Sequence, residues 1–81
     1  MGTNLYVGGI SYDSTDDTLK AHFEQAGEVA SAKIIMDRET NRSRGFGFVE
    51  MGSEDAAQKA LDELNGSELD GRQLKVDEAR E

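Results

Sequence analysis

The chain has 81 residues and no Cys, Pro or Trp, and its nine Lys and Arg against seventeen Asp and Glu leave a net charge of −8. That length predicts a single domain over residues 1–81 with a modest core, able to take roughly 60% of its unfolded surface out of water. Without cysteine it can form no disulfide and no thiolate metal site, which suits a reducing, cytoplasmic setting, and no apolar run is long enough to predict a signal peptide or a membrane span.

Asn4 to Gly8 alternates, with Leu5 and Val7 on one side and Tyr6 on the other, and predicts a strand. Gly8-Gly9 and the polar run Ser11 to Ser14 end it. Ser14 or Thr15 then caps a helix over about residues 15–26, with Asp16 and Asp17 suited to its positive N-terminus. Leu19, His22, Phe23 and Ala26 form its apolar stripe, and Gly27 is a stop signal. His22 reads as a helix-edge packing residue. Residues 29–36 predict a second strand, Asp37 to Ser43 a polar loop, and 44–51 a third strand. Ser53 caps a second helix over about 54–65, with Ala57, Ala60, Leu61 and Leu64 as its stripe; Asn65-Gly66 stops it. Asp70-Gly71 signals a tight turn. Residues 73–77 predict a last strand with Leu74 and Val76 inward and Lys75 and Asp77 outward.

The third strand splits into two faces: Arg44, Phe46, Phe48 and Glu50 against Gly45, Gly47, Val49 and Met51. Alone, this pattern reads first as buried phenylalanines. The order of the elements changes that. A β-α-β-β-α-β chain is the split-βαβ, ferredoxin-like α+β fold, a four-stranded antiparallel sheet with two helices on one face. Its two helices cover one side of the sheet and leave the other to water or a partner. Gly45 and Gly47, if they face the helices, let a helix lie close to the sheet. Tyr6, Phe46 and Phe48 are then three aromatics on the uncovered side, a surface that needs an explanation: a ligand, a protein contact or covering by a terminal segment.

Charge is polarised along the chain. Between Lys33 and Phe48, four cations (Lys33, Arg38, Arg42, Arg44) oppose two carboxylates (Asp37, Glu39), a local balance of +2, so the rest of the chain carries −10. Much of that lies on the two helices. The net charge argues against a nucleic-acid ligand, whereas its distribution leaves a mildly basic strand-loop-strand.

Arg44-Gly45-Phe46-Gly47-Phe48-Val49-Glu50-Met51 resembles the RNP1 octamer of the RNA recognition motif, and Leu5-Tyr6-Val7-Gly8-Gly9-Ile10 resembles its partner hexamer RNP2. The resemblance covers essentially the whole chain. It is greatest to small stand-alone bacterial members and to the domain of glycine-rich RNA-binding proteins. Met51 departs from the last aromatic of the octamer, at an inward position where Met packs adaptably, and Gly9 departs from the usual Asn of the hexamer.

The resemblance implies a platform in which Tyr6, Phe46 and Phe48 stack on unpaired bases and Arg44 meets a phosphate. For Arg44 the alternative is a cross-strand ion pair with Glu50 or another acid nearby. Lys33, Ile35 and Lys75 fall at the platform's margins, as strand contacts or as a solvated rim. Asn4 either bonds a base edge or is a polar strand end. Arg38 and Arg42 sit on a loop that could close over a strand or be merely solvated, and Arg80 with Glu78 could meet nucleic acid as the chain leaves the sheet. Glu50, Asp77 and Glu78 lie on or beside the open sheet and oppose a polyanion. The implied ligand is single-stranded RNA, with single-stranded DNA as a second candidate, bound by a monomer in post-transcriptional regulation. The alternative is a protein-interaction module that docks a peptide or helix on the same face. One His, no Cys and no cluster at metal spacing predict no catalytic, metal or cofactor site.

Overall fold

Strand β1 (Asn4–Gly8) forms where Leu5 and Val7 can both turn inward, and they are fully buried in the computed structural model, which describes residues 2–79. Helix α1 (Asp16–Phe23) starts at Thr15. The Thr15 hydroxyl accepts the Thr18 N–H (3.2 Å) and the Thr18 hydroxyl accepts the Thr15 N–H (2.8 Å), a reciprocal capping box. Ser14 has a different task, donating its hydroxyl to Asp70 Oδ2 at 2.6 Å. The helix ends at Phe23, short of the predicted residue 26. There the chain tightens into a turn closed by Ala26 N–H to the Phe23 carbonyl (3.0 Å), which still buries Ala26.

Strands β2 (Val29–Met36) and β3 (Ser43–Met51) follow, then helix α2 (Glu54–Leu64), whose N-cap Ser53 accepts the Ala56 N–H. Its buried stripe is Ala56, Ala57, Ala60 and Leu64, so small residues let it lie close to the sheet. The sequence after α2 departs from expectation. Where one strand over 73–77 was predicted, the chain makes β4 (Glu68–Leu69) and β5 (Arg72–Gln73), a separate two-stranded hairpin, before β6 (Lys75–Glu78). Asp70 (φ 52°) and Gly71 (φ 83°) are consecutive left-handed residues, the geometry of a tight hairpin turn. Gln73 therefore belongs to the hairpin. Leu74 and Val76 are buried, and Asn65 Oδ1 accepts the Val76 N–H (3.0 Å), tying the end of α2 to β6.

The main sheet has the order β2-β3-β1-β6, antiparallel throughout. One face meets both helices and holds the core: Leu5, Val7, Ile34, Val49, Met51 and Val76 against Leu19, Phe23, Ala57, Ala60 and Leu64. At the irregular stretch of β2 between Ile34 and Met36, Asp16 Oδ1 accepts the Ile34 N–H (2.8 Å), pinning the start of α1 to the sheet. The glycines of β3 do not serve helix packing as expected. A Cβ on Gly47 would run into the Lys33 carbonyl oxygen and come within 3.0 Å of Ile34 Cα, so the close approach is between β3 and β2. Gly45 is required for its backbone, at φ 82°.

Candidate nucleic-acid interface

Alternation along β3 exposes the site. Gly47, Val49 and Met51 are buried, whereas Phe46 is half-buried and Arg44, Phe48 and Glu50 are exposed. In the neighbouring β1, Tyr6 stands opposite Phe48 and Gly8 opposite Phe46. Directly paired residues of an antiparallel ladder share a face, so the three rings come together. Their centroids lie 6.0 Å apart for Tyr6–Phe46, 6.1 Å for Tyr6–Phe48 and 6.4 Å for Phe46–Phe48. Interplanar angles of 31°, 66° and 88° leave tilted and edge-on rings with no tight self-stack, so their faces are not consumed by one another. Gly8 makes room for this. A Cβ there would sit 3.0 Å from the Tyr6 hydroxyl oxygen, so the tyrosine leans along its own strand over the glycine towards Phe46.

Across the sheet these residues form rows. Lys33, Phe48, Tyr6 and Asp77 make one row; Phe46, Gly8 and Lys75 make the next; Ser31, Glu50 and Asn4 a third. Lys33 and Lys75 thus stand at opposite corners of the rings, and Asn4 lies beside Glu50. Ile35 follows core-facing Ile34 and turns to the ring side, half-buried, where β2 pairing is irregular. The Arg44 guanidinium carbon is 5.7 Å from the centroid of Phe46, a cation–π contact that holds it at the ring. An ion pair between Arg44 and Glu50 is out of reach, since six residues of strand separate them by roughly 20 Å. Glu78 does not share this face, because it pairs with Leu5, which points to the helices. The open face therefore carries Lys33, Arg44 and Lys75 against Glu50 and Asp77.

Not every expected residue joins the rings. Arg42 and Arg38 are exposed on the loop between β2 and β3; Arg42 lines a groove of about 620 Å³ with Tyr12, Met36 and Arg44, beside the platform. Arg80 lies outside the described residues. His22 lies on the helix side of the sheet, its Nε2 2.8 Å from Ser67 Oγ. The Ser67 hydroxyl donates to the Leu64 carbonyl (2.6 Å), so Nε2 must carry the proton of that contact and Nδ1 accepts from Gln25 (3.3 Å). Burial pushes the His22 pKa down, with Asp70 partly opposing it. Among the described residues no group of three or more His, Cys, Asp or Glu could hold a metal ion, and no helix is long and apolar enough to cross a membrane.

Sequence reasoning missed Gly8, Tyr12 and Met36. Tyr12 is 68% exposed and Met36 51%. Strict alternation gives Met36 the inward face of Ile34; the register shift between them releases it, and no sequence signal marks that shift.

The family profile of the RNA recognition motif matches residues 5–75. The mitochondrial glycine-rich RNA-binding protein 4 of Arabidopsis thaliana is 51% identical over all 81 residues, and the chain spans 60% of that protein's length. Among solved structures, the RNA-binding protein PG1 is 49% identical with a TM-score of 0.90, covering 98% of this chain and 95% of that one. The Sxl-lethal protein/RNA complex is 37% identical with a TM-score of 0.92, covering 100% of this chain and 48% of that one. With its two motifs side by side on the central strands of this sheet, the chain belongs to the RNA recognition motif family.

Proposed function

We propose that the chain binds single-stranded RNA by stacking unpaired bases on Tyr6, Phe46 and Phe48. The observation that carries the reading is three rings within 6.0–6.4 Å of one another on the sheet face that no helix covers. Stacking on such rings is worth about 1–3 kcal/mol per base and tolerates any base, because each presents a flat face. Bases locked in an A-form duplex cannot reach them, so the ligand is a single strand. Arg44, Lys33 and Lys75 neutralise phosphates as the strand crosses the rows, and Asn4 and Ile35 flank them. Stacking alone does not read the 2′-hydroxyl, so single-stranded DNA also binds.

The related chains support this reading: one curated relative is named for RNA binding and one structural neighbour was solved with RNA. Peptide docking on the same face has no comparable support. The function is binding without chemistry, in post-transcriptional regulation. Titrating isotopically labelled protein with short RNA pools tests it. Amide and aromatic shifts should move on β1 and β3; shifts confined to α1 and α2 would point to a protein partner instead.

A further inference from the structure

Asn65 caps the end of α2 and is followed by Gly66, the only Asn-Gly step in the sequence; Asn4 precedes Leu5 and Asn41 precedes Arg42. In such a pair the side-chain amide and the next backbone nitrogen are one bond short of a five-membered ring. Glycine has no side chain to shield that nitrogen. Hydroxide removes the Gly66 amide proton, and the nitrogen attacks Asn65 Cγ. The N–C bond forms as the Cγ–Nδ2 bond breaks, and Nδ2 leaves as ammonia. Water then opens the succinimide at one carbonyl or the other, giving aspartate or isoaspartate. Either product adds a negative charge to a chain of net −8. Asn65 and Gly66 are exposed, so hydroxide and water reach them.

The fold turns the two reacting groups away from each other. Asn65 Oδ1 accepts the Val76 N–H (3.0 Å), while the Gly66 N–H donates to the Leu74 carbonyl (2.8 Å). An amide proton engaged in this way is protected from hydroxide. Ring closure also needs the Gly66 nitrogen eclipsed with Asn65 Cβ about the Cα–C bond. At ψ 122° it stands roughly 120° away, by the tetrahedral geometry at Cα. Two more bonds hold the segment: Leu74 N–H to the Ser67 carbonyl (2.7 Å) and Gln73 Nε2 to the Gly66 carbonyl (3.0 Å). Reaction therefore requires the junction of α2 and β6 to open, which frees both groups at once.

We propose that Asn65 is a site of spontaneous deamidation gated by the α2–β6 junction, with isoaspartate as the damaging product. Aspartate keeps an oxygen where Oδ1 accepts the Val76 N–H. Isoaspartate instead routes the main chain through Cβ and Cγ and leaves its carboxylate on Cα, so the tie to Val76 is lost. Lys75 lies between the two tied residues, Leu74 and Val76, so the change reaches a cation of the ring platform.

The test incubates the full chain at mildly alkaline pH, in buffer and in urea above the unfolding midpoint, with peptide mapping by mass spectrometry. In urea Asn65 should deamidate several-fold faster than Asn4 or Asn41, whose following side chains shield the nitrogen. Equal rates at the three asparagines there overturn the site. In buffer the Asn65 rate should fall at least about tenfold, the equivalent of about 1.4 kcal/mol of protection, because chemistry slower than opening follows the open population. Equal rates at Asn65 in buffer and in urea overturn the gate. Hydrogen exchange at the Val76 amide reads the product. The purified isoaspartyl chain should exchange it at least about tenfold faster than Asn65→Asp, which keeps the acceptor. Equal exchange in the two overturns the assignment of isoaspartate as the damaging form.

Discussion

Phe48→Ala removes one ring of the platform, and its two consequences have different sizes. Phe48 remains 42% exposed, so a little over half of its surface is withdrawn from water. Full burial of such a side chain contributes about 1.5–3 kcal/mol, so the truncation should cost about 1–2 kcal/mol of folding stability. The edge-on contacts to Tyr6 and Phe46 lie at the surface and add little. Phe23 is the internal standard: it is 0% exposed, and Phe23→Ala should cost about 3–5 kcal/mol, a large part of a small domain's total. Binding behaves oppositely. Loss of the Phe48 stack should weaken RNA octamer binding by about 5- to 150-fold, the equivalent of about 1–3 kcal/mol. Urea unfolding and fluorescence anisotropy with labelled octamers measure both. A stability loss as large as that of Phe23→Ala, or octamer affinity equal to wild type, would refute the reasoning.

Three further outcomes follow from particular contacts. Gly47→Ala should lower stability by about 1–3 kcal/mol, because its Cβ meets the Lys33 carbonyl and Ile34 Cα and must push β2 from β3; a thermal melt equal to wild type would contradict that packing. The His22 pKa is lowered in the folded protein, so the unfolded chain binds more protons there and acid favours unfolding. Its stabilising contribution is complete above the unfolded value near 6.5 and is lost as pH falls from there through the folded value. The difference in urea midpoint between wild type and His22→Gln, followed from pH 8 to pH 5, should therefore shift against wild type on acidification; a shift the other way contradicts the sign. Octamer affinity should fall with salt at a log–log slope of about −2, since roughly three phosphate contacts, at Arg44, Lys33 and Lys75, release about 0.7 counterion each. A slope near zero would remove these cations from the interface.

Elements with a strong period could be read from the residues, and those without one could not. Leu5 and Val7 against Tyr6, and Val49 and Met51 against Phe46 and Phe48, alternate cleanly, and that alternation places the aromatics on the uncovered face. The helix stripes are nearly as plain, except that α2 buries Ala56 and leaves Leu61, expected in its stripe, half-buried. The hairpin of β4 and β5 has only two residues per strand, too short to carry a period, so only its Asp70-Gly71 turn was visible. The purpose of Gly47 was misread because its constraint comes from a strand adjacent in space, which composition does not reveal. Met36 escaped for the same reason, through a shift in pairing. The partner of Arg44 turned on distance along the strand: Phe46 is two residues away and within reach, whereas Glu50 is six away and beyond it.

The acidic chain and the anionic ligand are reconciled by sidedness and screening. Asp17, Glu24, Glu54, Asp55, Asp62 and Glu63 belong to the helix layer, on the far side of the sheet from the rings. A helix is about 10–12 Å across, so carboxylates on its outer surface lie farther from a bound strand than the Debye length of about 8 Å at physiological ionic strength. Salt largely hides them. Asp77 and Glu50 are different, because they share the rows of Tyr6 and Asn4 and offset part of the attraction from Lys33, Arg44 and Lys75. With electrostatics on the open face so nearly balanced, stacking has to supply most of the affinity. A shallow salt slope and a large Phe48→Ala effect are thus two readings of one cause; a steep slope with a small ring effect would mean that charge, not stacking, holds the strand.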